Sequence, residues 1–215
     1  LVALLDRNNF GLGQWVQVSL LETLVNLLDF QAARYLNEGD IPVQVGNDHA
    51  TRMPTGAYKT ADGMMTICAA ADRMWRKLCE EIGRKDLVDH PDFCDQAGRS
   101  GNRDRLNAEL DAALAARSTA EWVDILNAAG VACGPIYRID EMFADDQVKH
   151  LNLVREVKHS QLGDIAVLGQ PIRLSAAVPM DAQAAPMRGE HVEQVLREMG
   201  FSVEEISTLR RNDVV

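Results

Sequence analysis

The chain has 215 residues, 47% of them hydrophobic, enough apolar material for one large domain or two small ones. Thirty-two acidic residues outnumber 22 Lys and Arg, giving a formal charge of -10, and no basic run exceeds Arg210-Arg211, so nucleic acid is not an expected partner. No apolar run reaches the roughly 18 to 20 residues of a membrane span, and the 4 cysteines show no paired or His-flanked ligand spacing, which excludes the common metal motifs and suits reduced thiols in a cytoplasm.

The chain opens on Leu1-Val2-Ala3-Leu4-Leu5, a helical apolar run without a capping residue or acidic first turn, expected to be the tail of a helix that begins upstream. Asn8 to Gly13 is expected to turn, because Gly11 and Gly13 tolerate positive φ. In residues 15–28, Val16, Val18, Leu20, Leu21, Leu24, Val25, Leu27 and Leu28 cover most of a helical circumference. Such a helix is expected to be buried on nearly all sides, in a larger domain or at a subunit interface.

Residues 38–54 are polar, contain Gly39, Pro42, Gly46 and Pro54, and lack helical period, so they read as a linker or functional loop. Ala57-Tyr58-Lys59 and Met64-Met65-Thr66-Ile67-Cys68 flank Asp62-Gly63, the pattern of a hairpin. Asp72 can cap a helix carrying Met74, Trp75, Leu78, Cys79 and Ile82, stopped by Gly83. Asn102 precedes a helix with Leu106, Leu110 and Leu114 on one face, and Ser118 with Glu121 forms a capping box before Trp122, Ile125 and Leu126. Residues 58–145 therefore read as a small α+β domain. Beyond it, residues 153–157, 165–168 and 172–174 have strand character, with Leu162-Gly163-Asp164 as a turn. Residues 179–186 form an Ala/Pro linker. Two helices close the chain, residues 191–199 stopped by Gly200, and one opened by a second capping box at Ser202 and Glu205.

Four strings in this order resemble the class III CoA-transferases: GLGQWVQVSLLE from Gly11, TADGMMTICAAADRMW from Thr60, AAGVACGPIYRIDEMFAD from Ala128, and GEHVEQVLREMGFSVEEI from Gly189. The resemblance implies an α/β fold in which a Rossmann-like large domain, incomplete here, is interrupted by a small α+β domain, with two chains interlocked as a homodimer. Residues 1–45 would close the first large-domain segment with its linker, 46–155 would form the small domain, and 156–215 would return to the large one. The implied reaction moves CoA between an acyl-CoA and a small or medium carboxylate through an aspartyl-CoA thioester. No residue here matches the family's nucleophilic aspartate, which is expected upstream of Leu1; this chain alone is expected to be inactive.

The resemblance also implies that Ala71-Asp72-Arg73, between a strand and a helix start, contact CoA, where backbone N–H groups and the positive helix end suit an anion. From the residues alone, Asp72 is a cap and Arg73 a solvated first-turn side chain. Gly46 and Asn47 lie where formyl-CoA transferases carry a glycine-rich loop over the substrate carboxylate; an ordinary linker is the alternative. His191 matches a Gly-Glu-His of the family and reads as a packed or capping histidine, while Cys133-Gly134-Pro135 resembles a family turn and lacks a neighbouring base. Two rival functions stay open: an α-methylacyl-CoA racemase of the same fold, working by proton removal and return, and a non-catalytic CoA-binding or dimerisation module.

Overall fold

The computed structural model describes residues 1–176 and 181–215, which divide into two compact units, Leu1–Ile136 and Tyr137–Val215. In the first unit, α1 (Val2–Phe10) ends at Gly11, whose φ of 75° lets its N–H reach the Arg7 carbonyl. The expected turn at Asn8 is therefore one more helical turn, and the chain breaks only where a left-handed residue is available. Helix α2 (Leu20–Asn26) starts at Ser19, whose hydroxyl accepts from the Glu22 N–H while the Glu22 carboxylate accepts from the Ser19 N–H.

That box corrects the expected start of the helix in residues 15–28. The segment before Ser19 has no regular structure, and within this chain the apolar side chains are exposed, Trp15 at 86% and Leu20 at 85%. A local cap sets the helix start, and no other element among the described residues covers the apolar positions. A short α3 (Phe30–Ala33) runs into a π-turn, Arg34–Glu38, ended by Gly39 at φ 69°. Residues 40–54 have no regular structure, as their composition predicts.

Strands β1 (Thr55–Lys59) and β2 (Met64–Cys68) form the expected hairpin, followed by α4 (Asp72–Glu81), α5 (Gln96–Gly101), α6 (Arg103–Leu114), α7 (Thr119–Ala128) and β3 (Ala132–Pro135). The sheet is antiparallel in the order β1-β2-β3, with Lys59 opposite Met64 and Ile67 opposite Cys133. Cys133-Gly134-Pro135 is thus strand rather than turn, because β2 offers it a free edge. Alternation along β2 buries Met65 and Ile67. Against that face pack Trp75 and Leu78 of α4, Leu106, Leu110 and Leu114 at four-residue spacing on α6, and Trp122 and Leu126 of α7.

Polar side chains close the helix ends and the sheet edge. The Trp122 indole donates to the Leu114 carbonyl at 2.7 Å, ending α6, and Lys77 Nζ donates to the Ala129 carbonyl at 2.6 Å, ending α7. Asp62 does more than turn the hairpin: it accepts from the Thr119 N–H at 2.8 Å at the start of α7. Asp111 of α6 accepts from the Lys59 N–H at 2.8 Å, occupying a donor on the β1 edge.

One fully buried cation ties the loops to this core. Arg99 of α5 has no exposed side-chain surface; its Nε donates to the Met53 carbonyl at 3.0 Å and Nη1 to the Phe93 carbonyl at 3.1 Å. Its Nη2 donates to the Ala70 carbonyl at 3.0 Å and to Asp72 Oδ1 at 2.8 Å, and the guanidinium carbon lies 5.4 Å from the centre of the Trp75 ring.

The second unit contains α8 (Ile139–Ala144), α9 (Asp146–His150), the antiparallel hairpin β4 (Val154–His159) and β5 (Gly163–Leu168), α10 (Val192–Glu198) and α11 (Val203–Arg211). Among the described residues both sheets are antiparallel and no parallel pair occurs. The hairpin turn is residues 160–162, where His159 Nδ1 accepts from the Gln161 and Leu162 N–H groups at 3.1 Å. Residues 172–174 form no strand; the Arg173 side chain binds the Leu151 carbonyl instead, and no ladder partner stands beside its backbone. Of the expected 179–186 linker, residues 179 and 180 lie outside the described residues, and 181–186 are irregular. Both final helices form, α10 stopped by Gly200 at φ 94° and α11 opened by the Ser202 and Glu205 box.

The Arg99→Met variant keeps an apolar stem but leaves the carbonyls of Met53, Ala70 and Phe93 without their donor. It is expected to lower the unfolding free energy by roughly 3 kcal/mol, seen as a lower urea midpoint at unchanged slope; an unaltered midpoint would contradict the role given to Arg99.

Candidate functional site

Ala71 stands at the N-cap of α4 with extended φ and ψ of -68° and 139°, and no side chain caps the helix. The first-turn N–H groups have no intrahelical acceptor, so this end presents donors and a positive dipole. Asp72 is not the cap. It is the first helical residue, and its carboxylate is turned back onto Arg99 because a buried guanidinium needs an anionic acceptor. Arg73 and Arg76 are exposed and make no ion pair among the described residues. The strand-to-helix junction thus combines open N–H groups, two exposed cations and an internally neutralised carboxylate, an arrangement that can hold a phosphate or carbonyl oxygen.

Gly46 and Asn47 form the exposed tip of a turn in which the Asp48 N–H donates to the Val45 carbonyl at 3.3 Å, with Gly46 at φ 64°. The next residues are fastened. Asp48 Oδ2 accepts from Asn107 Nδ2 at 2.7 Å and lies 3.6 Å from Arg103 Nε; Arg103 Nη2 donates to the carbonyls of His49 at 3.1 Å and Ala50 at 2.8 Å. The His49 N–H donates to the Thr55 carbonyl at 2.7 Å, and its ring stacks on Phe30 with centroids 5.8 Å apart. A Cβ at Gly56 would meet Asp48 Oδ1 at 2.2 Å, so a side chain there would displace the Asp48 carboxylate.

The two candidate segments are therefore tied to adjoining helices, Ala70 and Asp72 through Arg99 of α5, and Asp48 to Ala50 through Arg103 and Asn107 of α6. Residues 53–54 join them, since Met53 binds Arg99 and the Ala69 N–H donates to the Pro54 carbonyl at 2.9 Å. Sequence reasoning missed Arg99, Arg103 and Asn107. One signal was present: Arg99 is flanked by Gly98, Ser100 and Gly101, small residues that leave room for a buried head group, and a Cβ at Gly98 would approach the Asp92 carbonyl to 2.8 Å.

The remaining candidates lie away from these two segments. Burial pushes the Cys79 thiol up to about 12 and raises that of Cys133, so neither supplies a thiolate near neutral pH. Burial, reinforced by the Asp48 and Asp111 charges, also drives the Tyr58 phenol well above its ordinary range. In the second unit His191 is the exposed N-cap of α10, without a side-chain capping bond, and lines an apolar depression of about 430 Å³ with Met187, Val192 and Val195. No His, Cys, Asp or Glu cluster suited to a metal occurs among the described residues, and no described helix is long and apolar enough to cross a membrane.

The profile of CoA-transferase family III matches residues 1–192. The chain belongs to CoA-transferase family III. A succinyl-CoA:glutarate CoA-transferase of Mus musculus is 30% identical over 93% of this chain and 46% of its own length. A succinyl-CoA:mesaconate CoA-transferase of Haloarcula marismortui is 29% identical over 93% of this chain and 50% of its own. A CAIB/BAIF family protein from Brucella suis, of known crystal structure, aligns with a TM-score of 0.75 at 27% identity over 92% of this chain and 51% of that one. The chain spans about half the length of the family members it matches.

The hydrogen bond from Arg99, and then its charge, hold the Asp72 carboxyl below the ordinary 3.8. A depressed carboxyl pKa contributes stability that is present above the unfolded value and lost as pH falls through the folded one. The stability difference between the natural protein and Asp72→Asn is thus expected to be level near neutrality and to shrink below pH 3.8. Urea midpoints followed into acid check this; a difference constant throughout would show that Arg99 does not favour the ionised form.

Proposed function

We propose that this chain forms part of an enzyme that transfers CoA between an acyl-CoA thioester and a free carboxylate. The observation that carries the reading is the family match over residues 1–192, together with relatives named as CoA-transferases. The nucleophile is an aspartate upstream of Leu1. Its carboxylate attacks the thioester carbonyl and expels the CoA thiolate, leaving a mixed anhydride. The thiolate then attacks the aspartyl carbonyl and releases the donor acid. The acceptor carboxylate attacks the resulting aspartyl-CoA thioester and expels the thiolate, giving a second mixed anhydride; the thiolate then attacks its acyl carbon and releases the free aspartate carboxylate, so no oxidant or metal is consumed.

In this reading residues 1–45 complete the first large-domain segment, 46–155 make the small domain and 156–215 return to the large one. Two chains interlock as a homodimer in the cytoplasm and cover the apolar side chains around Trp15 and Leu20. The α4 start, with Ala71, Asp72 and Arg73, forms one edge of the CoA site, its N–H groups and Arg73 facing a phosphate or the thioester carbonyl. Gly46 and Asn47 lie over the carboxylate. Relatives named for mesaconate, glutarate and oxalate make a short dicarboxylate the first acceptor to try.

Incubating the protein, with its upstream sequence, with succinyl-CoA and hydroxylamine or borohydride is expected to trap one aspartyl adduct per chain, located upstream by mass spectrometry. Release of α-hydrogen to solvent without any adduct would instead identify a racemase, and CoA binding with neither would leave a non-catalytic module.

A further inference from the structure

We infer that Asp48, Arg103 and Asn107 are positioning residues that hold the Gly46-Asn47 turn where it meets the substrate carboxylate. The inference rests on the CoA-transferase reading and goes beyond it, because it assigns the loop's placement to α6. Three observations carry it. The Asp48 side chain is only 9% exposed although it follows an exposed turn tip, and it is held by Asn107 Nδ2 at 2.7 Å and Arg103 Nε at 3.6 Å. The same Arg103 grips the two following carbonyls through Nη2. Gly56 carries no Cβ at the one point where it would meet Asp48 Oδ1, at 2.2 Å.

A linker needs no such anchorage. A solvated connection between elements keeps its backbone groups in water, whereas here successive residues from Asp48 to Ala50 are pinned to one helix by two side chains. The pinning stops abruptly at Asn47. The exposed tip therefore projects from a fixed base, with the Asn47 amide and the turn N–H groups as donors, the chemistry that a carboxylate accepts. Gly46, at φ 64°, keeps the tip narrow and sets its direction. Loss of the anchor would cost the turn its pre-organisation while leaving the α4 start, held by Arg99, in place.

The test uses the full enzyme with its upstream sequence and three variants: Asp48→Asn, Asn107→Asp, and the double variant carrying both. Each single change disturbs the carboxylate-to-amide pair, and the double change restores it with the partners exchanged, still beside Arg103. Each single variant is expected to raise KM for the acceptor dicarboxylate about tenfold while the affinity for free CoA, measured by calorimetry, stays within about twofold. The double variant should recover most of the loss, with coupling beyond simple additivity. Equal losses in acceptor KM and CoA affinity, tracking a lowered melting temperature, would make the cluster merely structural and overturn the inference. An unchanged acceptor KM in both single variants would overturn it as well. Failure of the parent enzyme to transfer CoA at all would instead sink the functional reading beneath it. Should a single variant not fold, Arg103→Lys retains the charge but not the forked grip on two carbonyls, and must show the same separation of acceptor KM from CoA affinity.

Discussion

A guanidinium with no solvent contact sits where three loops and a helix start meet, and the first unit is arranged around satisfying it. Removing such a charge from water costs several kcal/mol, which only well-placed acceptors can offset. Arg99 has three backbone carbonyls and one carboxylate, and the face of Trp75 covers what remains. Because the acceptors belong to Met53, Phe93 and the Ala70–Asp72 junction, meeting the electrostatic demand of one side chain fixes three separate stretches of chain. The core of Leu106, Leu110, Trp75 and Ile67 supplies hydrophobic stability without specifying how the irregular loops lie on it. That specification comes from polar groups whose misplacement would leave a charge unpaired.

The same logic extends one step along the chain. Arg103, four residues after Arg99, repeats the use of an arginine to collect loop carbonyls, this time at His49 and Ala50. The segments proposed to meet CoA and carboxylate both lack regular structure or sit at a helix end, where backbone N–H groups are available to a ligand. Such segments are useful only when held. Two arginines on neighbouring helices supply that rigidity, while Gly46, Asn47 and Arg73 keep their exposed faces free.

Much of this fold was legible in the sequence wherever the determinants were local. The Ser118 and Ser202 capping boxes, the hairpin around Asp62 and the stops at Gly83 and Gly200 formed as their chemistry dictates. Local rules failed where a partner distant in sequence decided the outcome. Cys133 became strand because β2 had an open edge, and Asp72 left the capping role because Arg99 claimed its carboxylate. Residues 172–174, with strand-like composition, found no pairing edge. In residues 15–28 the apolar pattern overstated the helix, since Ser19 with Glu22 set its start locally. Family membership was carried by the order of short strings, whereas the supports of the site were hidden in arginines that look like surface residues by type.

The coupling of the loops through Arg99 is the claim on which the account stands, and native-state hydrogen exchange tests it most directly. The Ala69 N–H, bonded to the Pro54 carbonyl at 2.9 Å, and the Trp75 N–H, bonded to Ala71 at 2.8 Å, report on the two segments Arg99 holds. In Arg99→Met both amides are expected to exchange faster together, by a larger factor than the amides of α7. A uniform change across the first unit, or unaltered protection at Ala69 and Trp75, would contradict the claim that one buried cation holds these segments in place.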